Sequence, residues 1–177
     1  MKQKLLLHVC CAPCSTHVIE KLKEDYELTL FFYNPCIEPL EEYELRLKNT
    51  QKLAKELETP LIVADYNNSD FRKRVKGHEK DKEGDFRCQI CFKQRLEETA
   101  LAAKQYNMDI FTTTLTISPY KNTEIINKIG KKIGQQFNIK FLEADFKKNN
   151  GYRNSIELSK KHNLYRQKYC GCLFSKK

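Results

Sequence analysis

Lys4 to Ser15 reads "KLLLHVCCAPCS", an unbroken apolar run that ends in three thiols within five positions. Lys4–Cys10 has the length and continuous hydrophobicity of a parallel strand buried on both faces. Pro13 then announces a helix, because its fixed φ suits a first turn. A strand that runs straight into a helix is the opening half of a βαβ unit, so this stretch decides the fold class. The turn between them is unusual. In nucleotide-binding folds of this kind it is rich in glycine, which lets backbone amides cradle a phosphate. Residues 8 to 15 contain no glycine, so a phosphate loop is not expected and thiols stand in its place.

The pattern continues outward. Glu27–Tyr33 ("ELTLFFY"), Leu61–Ala64, Asp109–Thr114 ("DIFTTT") and Ile139–Leu142 read as four further strands, rich in β-branched and aromatic residues. Helical periodicity fills the gaps at Ser15–Glu24, Leu40–Glu58, Cys88–Tyr106 and Thr123–Phe137. Alternating strands and helices predict a mainly parallel sheet of about five strands covered on both faces, with ligands beyond the strands' carboxyl ends. At 177 residues the chain suits one α/β domain, residues 1–177, with no internal repeat. Residues 72–87, "RKRVKGHEKDKEGDFR", mix both charge signs and read as a solvated, mobile loop.

No apolar run approaches the roughly 20 residues that a membrane span needs, and no export signal opens the chain, so a cytoplasmic protein without membrane contact is expected. Eight cysteines in that compartment point to metal or redox chemistry rather than structural disulfides. The net charge of +9 is uneven: residues 1–119 hold 18 Lys/Arg and 19 Asp/Glu, while residues 120–177 hold 14 and 4. The cysteine-bearing segment 145–177 lies within this basic end, which suits a polyanionic partner.

Cys10 and Cys11 fall where such a fold places its ligand. Cys88 and Cys91 ("RCQICF") are three apart at the start of a helix and share one face. Together they offer four thiolates for an iron–sulfur cluster or a tetrahedral zinc, and spacing does not choose between these. "CAPC" and "CQIC" also satisfy the count of a structural zinc ribbon. Cys14, near a helix amino end, is either a thiolate and spare ligand or a packed core residue. A disulfide between Cys170 and Cys172, separated by one glycine, would close a very small and easily reduced ring. Cys36 in "NPCIEP" stands alone and reads as structural, as does His8 within its strand. Weaker polar signals are Asn34 after the second strand, Thr114, Tyr120 and Lys121 in "TTTLTISPYK", and Tyr165 with Arg166 in "YRQKYC". The last of these pairs aromatics with cations, as a stacked base and its phosphate require.

Five ordered blocks, "LHVCCAPC", "FYNPxIxPxxEY", "RCxxCFxxRL", "TTTLxxSPYK" and "LYRQxYCGC", resemble the cobalamin-independent epoxyqueuosine reductases over nearly the whole chain. The resemblance implies a Rossmann-like, nucleotide-hydrolase-related (HUP-like) fold and a [4Fe–4S] cluster on Cys10, Cys11, Cys88 and Cys91. It implies Cys170 and Cys172 as a redox-active pair. Cys14 is a candidate ligand of an additional mononuclear iron. The implied reaction is the last step of queuosine formation, reductive removal of the epoxide oxygen from epoxyqueuosine in a tRNA anticodon, with electrons from an unidentified donor. The competing readings are an ATP-dependent tRNA thiolation enzyme, weakened by the missing phosphate loop, and a zinc-dependent RNA-binding module.

Overall fold

The computed structural model describes residues 1–176. In chain order its elements are β1 (Gln3–His8), α1 (Ala12–Lys23), β2 (Tyr26–Phe32), α2 (Leu40–Glu56), β3 (Leu61–Val63), α3 (Asn68–Arg74), α4 (Phe86–Gln105), β4 (Ile110–Thr113), α5 (Thr123–Phe137), β5 (Lys140–Phe141) and α6 (Gly151–Lys161). One tight 3-10 turn, Thr114–Ile117, follows β4, and another, Leu173–Ser175, lies near the chain end. The five strands pair in parallel in the order β3-β2-β1-β4-β5.

Side-chain alternation along each strand builds the two core layers. Leu5, Leu7, Leu28, Leu30 and Phe32 face one side and pack on Val18 and Ile19 of α1 and Leu53 and Ala54 of α2. Leu6, Phe31 and Phe111 face the other and meet Phe92, Leu96 and Ala100 of α4 and Ile126 and Ile133 of α5. Each such side chain contributes roughly 1.5–3 kcal/mol on burial. Right-handed crossovers explain the division: the chain steps outward from β1 through α1 and α2, then returns across the sheet through α4 and α5. The order therefore reverses beside β1, and the carboxyl ends of β1 and β4 form the topological switch point.

Glycine permits the tightest helix–sheet approach. A Cβ at Gly130 of α5 would lie 2.4 Å from the Phe141 ring, and one at Gly134 would lie 2.7 Å from the Ile139 carbonyl oxygen. On the opposite face α6 settles on α1, with Thr16 Oγ1 donating to the Ser155 carbonyl at 3.4 Å. The basic carboxyl-terminal charge is thus divided between the two faces, with Lys128, Lys131 and Lys132 on α5, Arg153, Lys160 and Lys161 on α6, and the remainder in the connections and the tail.

The elements differ from the sequence reading at several points. The ladder of β1 stops at His8, two residues before Cys10, and α1 begins at Ala12, so Cys14 lies inside its first turn. Residues 72–74 belong to α3, whose Phe71, with Val75 just after it, is buried beneath the charged residues around it. No helix among the described residues is long and apolar enough to cross a membrane.

Candidate active site: thiols at the switch point

All eight cysteines are free, so Cys170 and Cys172 stand as a dithiol and the small-ring disulfide considered from their spacing is not formed. They form two groups. In the first, the Sγ atoms of Cys10, Cys11 and Cys14 all lie within 4.8 Å of one another, with 3.8 Å between Cys10 and Cys11. The turn after β1 brings the first two there, and the first turn of α1 brings the third. Thr114, after β4, places its Oγ1 3.8 Å from Cys10 Sγ. From the chain end Gln167 donates its amide N–H to Cys11 Sγ at 3.0 Å.

The second group lines one cavity: Cys88 and Cys91 of α4, Cys36 after β2, and Cys170 and Cys172 of the tail. Arg87, Arg95, Tyr120 and Lys121 share its wall. Cys36 does not stand alone, because it shares this wall with Cys91. A positional signal existed, since Cys36 follows the carboxyl end of β2 much as Cys10 follows that of β1.

The electrostatics explain which sulfurs carry charge. Cys10 accepts S–H donation from Cys11 and Cys14, which holds it well below the usual thiol range, aided by Arg95 and Lys121. Cys11, donating to Cys10, is pushed up to about 12, and Cys14 is also raised by donating to its two neighbours. The helix amino terminus therefore does not make Cys14 the thiolate; Cys10 takes that charge. In the second group a proton donated by Cys91 holds Cys36 down to about 6, with help from Arg95 and Arg46 against burial. Cys91 is correspondingly raised.

These anions have buried cations for company. Arg95 is 3% exposed, donates to Cys91 Sγ at 3.2 Å and to Asn34 Oδ1 at 3.4 Å, and leaves its buried Nε without a partner. It joins none of the ion pairs among the described residues. Lys121, half-buried in the cavity wall, is held in the ammonium form against burial by Cys170 and Cys10. A buried guanidinium without a carboxylate needs another anion nearby. A thiolate-ligated metal or iron–sulfur centre carries that charge, so the donor set fits such a group.

The remaining candidates fall in three places. Tyr120, 77% exposed, stands at the cavity mouth beside Lys121. Asn34 is buried, with its amide joining the Val9 carbonyl oxygen at 2.9 Å to Arg95. Tyr165 bonds Glu42 of α2 at 3.0 Å, and Arg166 bonds Ser159 of α6 at 2.9 Å, so these two side chains face helices rather than the cavity. His8 is fully buried between Thr113 Oγ1 at 2.9 Å and the Tyr33 carbonyl at 3.0 Å, and burial pushes it down to about 4. It is a neutral structural residue, as its place in an apolar strand suggests.

A doubly wound α/β protein that gathers thiols where nucleotide-binding folds carry a phosphate loop offers donors for redox or metal chemistry. The chain matches the sequence pattern of the family described as epoxyqueuosine reductase QueH over residues 5–177. Proteins named epoxyqueuosine reductase QueH are similar throughout. The one from Streptococcus pyogenes serotype M1 is 40% identical, covering 100% of this chain and 72% of that protein. The one from Haemophilus influenzae is 39% identical, covering 97% and 71%. The one from Thermotoga maritima is 38% identical, covering 97% and 89%. The chain belongs to the epoxyqueuosine reductase QueH family, a family of oxidoreductases. A crystal structure from Methanocaldococcus jannaschii, described as a predicted subunit of tRNA methyltransferase, shares the fold at a TM-score of 0.56 and 18% identity, covering 88% of this chain and 74% of that one.

Proposed function

We propose that this protein reduces epoxyqueuosine to queuosine in the anticodon of tRNA, in the cytoplasm, with a [4Fe–4S] cluster held by Cys10, Cys11, Cys88 and Cys91. The observation that supports the reading is two groups of thiols in a chain of this family: Cys10, Cys11 and Cys14 after β1, and Cys36, Cys88, Cys91, Cys170 and Cys172 in a cavity wall shared with buried Arg95 and half-buried Lys121. The reaction breaks both C–O bonds of the epoxide, leaves the two carbons joined by a double bond, and releases the oxygen as water. It consumes two electrons and two protons. The Cys170 and Cys172 thiols supply that number when they join as a disulfide. The cluster, when bound, supplies electrons one at a time. An unidentified donor restores the dithiol.

The chain's own groups have assignable tasks. Lys121 donates a hydrogen bond to the epoxide oxygen as negative charge builds on it, since its ammonium form is held by the surrounding sulfurs. Arg95 balances the sulfur charge behind it. Tyr120 offers an exposed ring on which a base can stack at the mouth. Thr114 and Asn34 are proposed to support the site from within, Thr114 against Cys10 and Asn34 against Arg95, and Tyr165 and Arg166, whose side chains bind α2 and α6, to act on the substrate only through the placement of their segment. The charged connection of residues 72–87 and the basic segment 145–177 are proposed to contact the tRNA body.

A second arrangement rests on the first thiol group. Metal–sulfur bonds of about 2.3 Å at tetrahedral angles put neighbouring sulfurs about 3.8 Å apart, and Cys10 and Cys11 are 3.8 Å apart. Cys10, Cys11 and Cys14 thus suit a single mononuclear iron with one open corner, an arrangement that takes Cys10 and Cys11 from the cluster and stands as its alternative. The test is nucleoside mass spectrometry after the anaerobic, iron-loaded protein is incubated with epoxyqueuosine-containing tRNA and a strong reductant. Conversion to queuosine supports the function. Unchanged epoxyqueuosine with a loaded, folded protein overturns it.

A further inference from the structure

The tail that carries the dithiol is gripped by a polar stripe on α2. Glu42, Arg46, Asn49, Lys52 and Glu56 recur at helical spacing, and each holds a different point of residues 162–170. Glu56 meets His162 Nδ1 at 2.9 Å. Lys52 donates to the carbonyls of His162 at 2.9 Å and Asn163 at 3.3 Å. Asn49 accepts the Tyr165 N–H at 3.0 Å, and Glu42 accepts the Tyr165 hydroxyl at 3.0 Å. Arg46 ends the stripe where the thiols begin.

Arg46 is 2% exposed. Its guanidinium donates to the carbonyl of Cys170 at 2.8 Å, to that of Tyr169 at 3.0 Å, and through Nε to Glu42 at 2.6 Å, and it lies over the Tyr169 ring at 5.4 Å. The Gly171 carbonyl accepts the Glu38 N–H at 2.9 Å. Gly171 has φ +134°, and a Cβ there would come within 3.0 Å of Ile37 Cγ1 and 3.1 Å of Arg46 Nη1. Two peptide groups link Cys170 to Cys172, and both carbonyls are therefore pinned while the thiols are free.

We infer that Arg46 is a positioning residue for the dithiol: its fork on the Tyr169 and Cys170 carbonyls, with Glu38 on Gly171, holds the Cys-Gly-Cys segment open as two thiols. This rests on the proposed redox role of Cys170 and Cys172. Closing their disulfide, with loss of two protons and two electrons to the epoxide or to an added disulfide oxidant, requires the two linking peptide groups to turn. The clamp opposes that turn, so its removal favours the disulfide and makes the pair more reducing.

Lys168 and Lys176 place both cysteines, and no other, on one tryptic peptide, Tyr169–Lys176. The experiment equilibrates the intact, as-isolated protein anaerobically in buffers of reduced and oxidised dithiothreitol, traps thiols by alkylation, and reads that peptide by mass spectrometry. Arg46→Met should shift the dithiol–disulfide equilibrium at least about tenfold toward the disulfide, about 30 mV more negative for two electrons. Arg46→Lys, which keeps the charge but not the fork, should fall between. Lys52→Ala, which frees only residues 162–163, should leave the value unchanged. Gly171→Ala presses on Arg46 without removing it, should shift the value in the same direction, and serves if the Arg46 variants do not fold. An unchanged or more positive potential in Arg46→Met, or an equal shift in Lys52→Ala, overturns the inference. A shifted potential in a protein that does not reduce epoxyqueuosine would instead leave the clamp standing and remove the proposed function.

Discussion

Arg95→Met should push the metal-loaded and metal-free forms of this protein in opposite directions. Methionine keeps much of the arginine's volume and deletes its charge. The wild-type guanidinium sits 3.2 Å from Cys91 Sγ and has no carboxylate partner. A hydrogen bond to a charged group is worth about 1.5–3 kcal/mol. Taking about 2 kcal/mol for a thiolate at Cys91, the variant should hold its iron about 30-fold more weakly. In the metal-free protein Cys91 keeps its proton, and the guanidinium is balanced only by the Cys36 and Cys10 thiolates. Exchanging such a group for an apolar one of similar volume is neutral or stabilising, by up to a few kcal/mol. A gain of about 2 kcal/mol would raise Tm by about 4–8 °C in a chain of this size. The assays are iron transfer to a competing chelator for the loaded protein and differential scanning calorimetry for the metal-free one. Equal losses in both assays would show that Arg95 only packs the core, and the charge argument would fail.

Three further outcomes follow from the same geometry. The depressed pKa of His8, about 4 when folded against an ordinary 6.5, means that the unfolded chain binds more protons between those values; stability should fall by about 3 kcal/mol as pH drops from 6.5 to 4, and His8→Asn should flatten that slope in pH-dependent urea melts. Gly130→Ala should cost about 1–3 kcal/mol, because its Cβ would lie 2.4 Å from the Phe141 ring; an unchanged Tm would mean that β5 yields freely. Cys88→Ser should lose iron, sulfide and turnover together, whereas Cys170→Ser should keep iron and sulfide and lose multiple turnover, read by metal analysis and nucleoside mass spectrometry.

Much of the architecture was readable because buried parallel strands and their helices leave period-specific traces. "KLLLHVC", with no glycine after it, foretold both β1 and the replacement of a phosphate loop by thiols. What escaped was mostly nonlocal. Glu42, Arg46, Asn49, Lys52 and Glu56 look like an ordinary solvated helix face until the tail is laid across them. Helix α3 was hidden because only Phe71 and Val75, four apart, break a run of charges. Cys36 is a different case, since its position after β2 made it legible by the rule already applied to Cys10. The basic charge is concentrated at the carboxyl-terminal end of the chain, but topology sends α5 and α6 to opposite faces of the sheet.

The most direct test of the central claim is a single-turnover reaction under strict anaerobiosis. Iron-loaded protein with its dithiol reduced is mixed with epoxyqueuosine-containing tRNA, and the nucleosides and the Tyr169–Lys176 peptide are analysed from the same quenched samples. The account predicts that queuosine appears in step with loss of the free Cys170 and Cys172 thiols. Queuosine formed while both thiols stay free would contradict the role of the dithiol, and no queuosine from fully loaded protein would contradict the function itself.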